Sequence, residues 1–220
     1  MSDPDALRDD PARNLDLLRA LQARSADAER LTTSVFDDLD ALAVEASALR
    51  PTLYVDALLG TGLTSDLREP IASVVGWLND QAAPITALDV PTGLHSDTGA
   101  VLGDAVRADR TVTMAARKTG LVVGDGPLCA GAVDVVDIGI PAFVMDEVQA
   151  RPGCGRLTTD AAVRSWWPGR SRDAYKYSVG MTLVVGGAPA YTGAPVMASK
   201  AAARGGAGYV MCACPEPVQS

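Results

Sequence analysis

The chain has 220 residues, 48% of them hydrophobic and 21% charged, with a formal charge of −8. This is the profile of a globular protein with a real apolar core, one domain or one and a fraction. So acidic a chain is expected to have no general footprint on nucleic acid or anionic membrane, although backbone N–H groups can still bind a phosphorylated ligand without lysine or arginine.

In chain order, "MSDPDALRDDPARN" is acidic and polar, unlike a signal or transit peptide. Residues 11–25 place Leu15, Leu17, Leu18 and Leu21 on one helical face, and residues 34–49 read as a second helix. "TLYVDALLG" is a short apolar strand and "LREPIASVVGWLNDQ" a helix of 3.6 period. "APITALDVPTG" is a strand ending in an acid, and "ADRTVTMAA" and "GAVDVVDIG" are two more strands. Helices alternating with nearly continuous apolar strands predict an α/β fold, a mostly parallel sheet covered on both faces. From 142 to 176 the periodicity lapses, and "RPGCGR" and "WWPGRSRDAYKYS" predict a linker with room for one short helix. Residues 177–220 then read as strand, Gly-rich turn, helix and strand, a single βαβ unit too small to bury a doubly wound sheet.

No apolar run approaches the ~18 residues of a membrane span. The cysteines, at 129, 154, 212 and 214, have no zinc spacing, and the only histidine is His95. Reduced thiols in a soluble, cytoplasmic protein are expected.

Two strand ends share one grammar. Asp56 is followed by Gly60-Thr61-Gly62, and Asp89 by Pro91-Thr92-Gly93. In an open parallel sheet, ligands bind outside the carboxyl ends of the strands. Glycines let a ligand approach the main chain, and the amides of Gly60 to Asp66 are predicted to lead into a helix N-terminus, an anion cradle. Asp56, Asp89 and the Thr92 hydroxyl add hard oxygens suited to a cation, a sugar hydroxyl or a proton transfer. The plainer alternative is that the acids cap helices and the glycines only make tight turns. Lys118, in "ARKTGL", reads either as a phosphate partner or as a solvated lysine; His95 reads as a surface-loop residue.

The stretches "VDALLGTGLTSDLREP", "ALDVPTGLHSDTGAVLGDAVRADRTVTMAARKTGL" and "GAVDVVDIGIP" closely resemble the NAD(P)H-hydrate epimerase domain, in order and spacing, from about residue 12 to 141. The resemblance implies a Rossmann-like three-layer αβα domain acting on NAD(P)HX, nicotinamide cofactor hydrated at C6, and interconverting its R and S epimers. It implies that Asp56 and Thr92 are potassium ligands. It also implies that Gly60, Thr61, Gly62, Leu63, Thr64, Ser65 and Asp66 line the cofactor and that Asp89 contacts the substrate. Asp56 is further expected to act as the acid/base, because epimerising a carbinolamine moves a proton and develops charge. The family usually has serine where this chain has Thr92; the hydroxyl oxygen is kept.

The tail resembles the first turn of the ribokinase-like ADP- or ATP-dependent NAD(P)H-hydrate dehydratase. The matching residues are Lys176, Val185-Gly186-Gly187, Thr192-Gly193-Ala194 and Gly206-Ala207-Gly208, with Ala194 expected to touch the substrate. The implied organisation is an epimerase-like domain over 1–141, a linker over 142–176 and the start of a dehydratase domain over 177–220. The epimerase family's Gly-Asn-Asn-Gly-Gly-Asp-Gly loop has no counterpart here, so the chain is expected to be a fragment of a bifunctional repair enzyme. A non-catalytic Rossmann-like scaffold and a ribokinase-type kinase are the competing readings. Homo-oligomerisation stays open.

Overall fold

The computed structural model describes residues 8–24, 32–36, 38–167 and 169–216. The acidic leader at 1–7 therefore lies outside the described residues. The chain divides into two compact units, Met1–Gly155 and Arg156–Ser220. This boundary falls inside the stretch that the sequence leaves as a linker.

In the first unit, helix α1 (Asp9–Arg24) forms where the leucine spacing predicts it, but none of its residues is buried. Helix α2 (Leu39–Leu49) starts later than the sequence suggests, because Asp38 is extended and its carboxylate accepts from the Ala41 amide at 2.8 Å, an N-cap that fixes the first turn. Strand β1 (Tyr54–Asp56) follows, then a long loop, then helix α3 (Ile71–Asn79). The helix begins directly after Pro70, a residue with no N–H to waste in a first turn. Strands β2 (Ile85–Leu88), β3 (Arg110–Met114) and β4 (Ala132–Val136) complete a parallel sheet in the order β1-β2-β3-β4. No helix connects β2 to β3; residues 89–109 cross irregularly, with one antiparallel bridge between Leu94 and Val101. Asn79 ties that crossing down, its amide donating to Ala105 O at 2.9 Å and its carbonyl accepting from Arg107 N at 2.8 Å. A four-residue helix, α4 (Gly126–Cys129), leads into β4.

The register aligns Asp56 with Ala87 and Ala87 with Thr111. Neighbours paired in this way point to the same face, so Tyr54, Asp56, Ile85, Ala87, Thr111 and Thr113 share one side. Val75 and Leu78 of α3 pack there against Ile85 and Ala87, with Val106 and Ala108. A second cluster gathers Val90, Leu94, Ala105, Leu121, Cys129 and Ala130, with Val133 of β4 against it. On the opposite face Val55 is 56% exposed and Met114 and Val136 are also exposed. The described residues thus bury the sheet mainly from one side, where the sequence predicts cover on both.

Helix α5 (Ala142–Gln149) closes the first unit, and α6 (Asp160–Trp166) opens the second. The stretch predicted as a linker with room for one short helix carries two. In the second unit, β5 (Met181–Val185), α7 (Gly193–Arg204) and β6 (Tyr209–Ala213) form the predicted βαβ, with β5 and β6 parallel in one sheet. Gly208 is required there because a Cβ would lie 2.2 Å from the Lys176 carbonyl.

Candidate active site

Asp56 ends β1 and is 2% exposed; Thr92 is 1% exposed. One carboxylate oxygen of Asp56 accepts from the Thr92 amide at 2.8 Å, and the other from the Thr92 hydroxyl at 2.7 Å and the Leu58 amide at 3.2 Å. The Thr92 hydroxyl also accepts from the Leu59 amide at 3.0 Å and lies 3.2 Å from the Leu59 carbonyl. Its single proton cannot serve both Asp56 and that carbonyl. A carboxylate, a hydroxyl and a carbonyl thus face one another as a hard-oxygen set of the kind that suits a hard cation. Among the described residues no three His, Cys, Asp or Glu side chains gather as a metal-ligand group, so any cation held here would rest on neutral oxygens and a single carboxylate. With both oxygens engaged and almost no exposure, Asp56 is poorly placed to exchange a proton directly with a substrate.

Thr92 sits in a turn closed by the Leu94 amide donating to Pro91 O at 3.0 Å. Gly93, its third residue, has φ +94, the sign that type II turns impose at that position. A Cβ there would lie 2.0 Å from Asp104 O. Gly93 is therefore explained by the fold. The glycines after Asp56 are different: a Cβ on Gly60 or Gly62 would meet nothing within 4 Å, and neither has a positive φ. Neither packing nor unusual backbone angles within this chain explain them, so space is left in front of the loop.

Thr61, Thr64, Ser65 and Asp66 are exposed and Leu63 is half-buried. The Leu63 amide approaches Gly60 O at 3.4 Å, and the buried Ser96 hydroxyl approaches Thr61 O at 3.4 Å. Leu63, Ser65 and Asp66, with Leu59, Leu67 and Ile71, line a shallow groove of about 350 Å³. The predicted run of amides into a helix N-terminus does not form: α3 starts at Ile71, after Asp66 and Pro70, so helix-dipole assistance to an anion at Gly60–Asp66 is absent.

Asp89 lies just past β2 in the left-handed region, φ +68, which side chains other than glycine rarely adopt. Its Oδ1 accepts from the Thr113 hydroxyl and the Met114 amide, both at 3.1 Å, and from the Lys118 ammonium. Thr113 is fully buried on the same sheet face as Asp56, so the Asp89 carboxylate reaches that face too. Burial pushes the Asp89 carboxyl up; the Lys118 ammonium, the Met114 amide and the Thr113 hydroxyl outweigh it and hold it below the ordinary 3.8.

Lys118 is only partly exposed, and its ammonium is already engaged rather than free for a phosphate. Its three donors go to Asp89 Oδ1, Thr113 Oγ1 at 3.1 Å and Met114 O at 3.0 Å. His95 is half-buried, its Nδ1 accepting from the Asp97 and Thr98 amides at 3.2 and 3.4 Å, where the sequence suggests a surface-loop residue. Ala194 lies exposed in the first turn of α7 in the second unit. Sequence reasoning passed over Thr113 and the Leu59 carbonyl. Thr113 had a signal: two threonines at alternate, inward positions of a buried strand are hydroxyls that need partners.

The fold and this site define a class: a Rossmann-like α/β protein whose polar groups collect at the carboxyl ends of a parallel sheet. Residues 1–120 match the family described as YjeF-related protein N-terminus. The chain is 66% identical over 219 residues, its whole length, to a bifunctional NAD(P)H-hydrate repair enzyme Nnr of Salinibacter ruber, covering 40% of that relative. It is 39% identical over 175 residues to the enzyme of the same name from Moorella thermoacetica, a match that takes in 80% of this chain and 32% of the relative. The Methanothermobacter thermautotrophicus enzyme of that name is 40% identical over 174 residues, or 78% of this chain and 31% of the relative. The chain belongs to the YjeF-related N-terminal family and spans two fifths or less of the length of these relatives.

Proposed function

We propose that residues 1–141 are an NAD(P)H-hydrate epimerase module that interconverts R- and S-NAD(P)HX, the substrate that the relatives' names indicate. The observation that carries this reading is the 66% identity over the whole chain to a repair enzyme of that name. The paired strand-end acids support it chemically.

Epimerisation at C6 requires its hydroxyl to take up a proton from solvent and leave as water, after which water adds to the other face and gives a proton back, or the ring to open and close. Positive charge develops beside the ring nitrogen in the first route. A nearby carboxylate stabilises that charge, and a carboxylate with an unbound oxygen can carry the proton. All hydrogen bonds described for the Asp89 carboxylate go to Oδ1, which supports Asp89 Oδ2 as the oxygen that meets the substrate. The burial of Asp56 supports a holding role ahead of the acid/base role expected for it. The residues after Asp56, Gly60 to Asp66, would line the dinucleotide, with Gly60 and Gly62 leaving room for it.

The oxygens of Asp56, Thr92 and Leu59 fit potassium, and these residues would hold it. When bound, the ion would supply a fixed positive charge at the end of β1. The second unit is proposed as the opening of a ribokinase-like dehydratase domain, with Ala194 near its substrate and ADP or ATP used by the complete protein. A cytoplasmic setting is proposed from the free thiols of Cys129, Cys154 and Cys212; no described helix is long and apolar enough to cross a membrane.

The test is chiral separation of R- and S-NADPHX incubated with the chain in potassium buffer. The expected result is equilibration of a pure epimer, slowed by about 100-fold or more in Asp89→Asn. An unchanged rate in that variant removes Asp89 from the chemistry. Equilibration no faster than in buffer favours a binding or scaffold protein.

A further inference from the structure

We infer that Lys118 is a positioning residue that clamps Asp89 by one oxygen and so aims the other at the substrate. This rests on the epimerase reading above for the identity of that substrate.

Two residues other than glycine stand in the left-handed region at the ends of neighbouring strands: Asp89, φ +68, after β2, and Ala115, φ +62, after β3. Each is strained in a way that glycine would avoid. At Ala115 the strained residue turns the chain back at once, with the Ala116 amide donating to Met114 O at 2.7 Å. That reversal brings Lys118 over the end of β3, where its ammonium meets Met114 O and Thr113 Oγ1. At Asp89 the strained residue turns the carboxylate toward β3, onto the Thr113 hydroxyl, the Met114 amide and the Lys118 ammonium. Two departures from relaxed geometry therefore converge on one contact.

The contact is asymmetric. Thr113 accepts from Lys118 and donates to Asp89, the Met114 amide donates to Asp89, and Lys118 completes the set, all on Oδ1. Every Lys118 donor is used, and Oδ2 accepts from no described residue. The pair is shielded without being sealed, with side chains 22% and 21% exposed for Lys118 and Asp89. A fold that needed the ion pair only for stability would gain little from it at that exposure. A site that needs one carboxylate oxygen in a fixed place gains its orientation.

The experiment compares the wild-type chain with Lys118→Met, Lys118→Gln and Lys118→Arg, using two readouts. The first is the carboxyl carbon-13 titration of Asp89, assigned with Asp89→Asn and recorded without substrate. Lys118, the charged group facing Asp89, is removed in the Met and Gln variants, and the midpoint is expected to rise by about one unit. In Lys118→Arg it should stay near wild type. The second is the rate of R-to-S conversion, expected to fall about tenfold in kcat/KM for Met and Gln and to recover to within about threefold for Arg, with thermal midpoints little changed. A midpoint that does not move in either neutral variant overturns the clamp. A midpoint that moves while kcat/KM stays at the wild-type value overturns the positioning role. If wild type converts no hydrate, the epimerase reading fails and the titration alone decides the clamp.

Discussion

The strand ends after β1 and β2 are written alike and behave differently. After β1, Asp56 turns inward, gives both oxygens to Thr92 and Leu58, and is followed by glycines that face open space. After β2, Asp89 keeps one oxygen without a partner among the described residues, is strained in its backbone, and is followed by Gly93, jammed against Asp104. The acid of the first pair is locked and its glycines are free; in the second the glycine is locked and the acid is partly free. The lesson is that an acid followed by a glycine turn does not say which of the two serves the fold.

The largest effect expected from this contrast is at Gly93. Gly93→Ala would set a Cβ 2.0 Å from Asp104 O and require φ +94 of alanine, so it should cost about 3 kcal/mol or more and be seen as loss of the cooperative urea transition. An alanine variant as stable as wild type would show that the turn can rearrange.

A smaller effect is expected from acid. The folded Asp89 carboxyl lies below 3.8, so its contribution is fully present above that value and is lost as pH falls through the folded one. The urea-midpoint difference between wild type and Asp89→Asn should be constant from about pH 7 to 5 and shrink below about pH 4. A difference that persists at lower pH would mean that the contribution of Asp89 does not come from its ionised form.

The smallest stability effect is expected at Gly62. With nothing near its Cβ and an ordinary φ, Gly62→Ala should leave the midpoint unchanged or raise it by up to about 1 kcal/mol. The same variant should weaken NADPHX binding, measured by calorimetry. Tight binding with alanine at 62 would end the case that this glycine makes room for a ligand.

Much of the fold was legible. Period-2 and period-3.6 patterning located all four strands of the first unit, α1, α3 and the βαβ of the second, because each carries the apolar spacing of its own element, even where, as in α1, no residue is buried. Boundaries were harder. The start of α2 depends on Asp38 folding back onto Ala41, and the start of α3 on Pro70, which is why residues 60–66 never reach a helix N-terminus. The helix-free crossing from Asp89 to Asp109 was invisible, since its polar backbone is satisfied by distant partners such as Asn79.

Local spacing already sets the parallel α/β class and which acids stand at strand ends, because alternation and turn chemistry act over a few residues, while the family is legible only as a resemblance of whole motifs. Only the tertiary structure decided that Thr92 reaches Asp56 across 36 positions and that Lys118 reaches Asp89 across 29. Those contacts depend on strand register and on the backbone sign at Asp89 and Ala115, which no local pattern encodes.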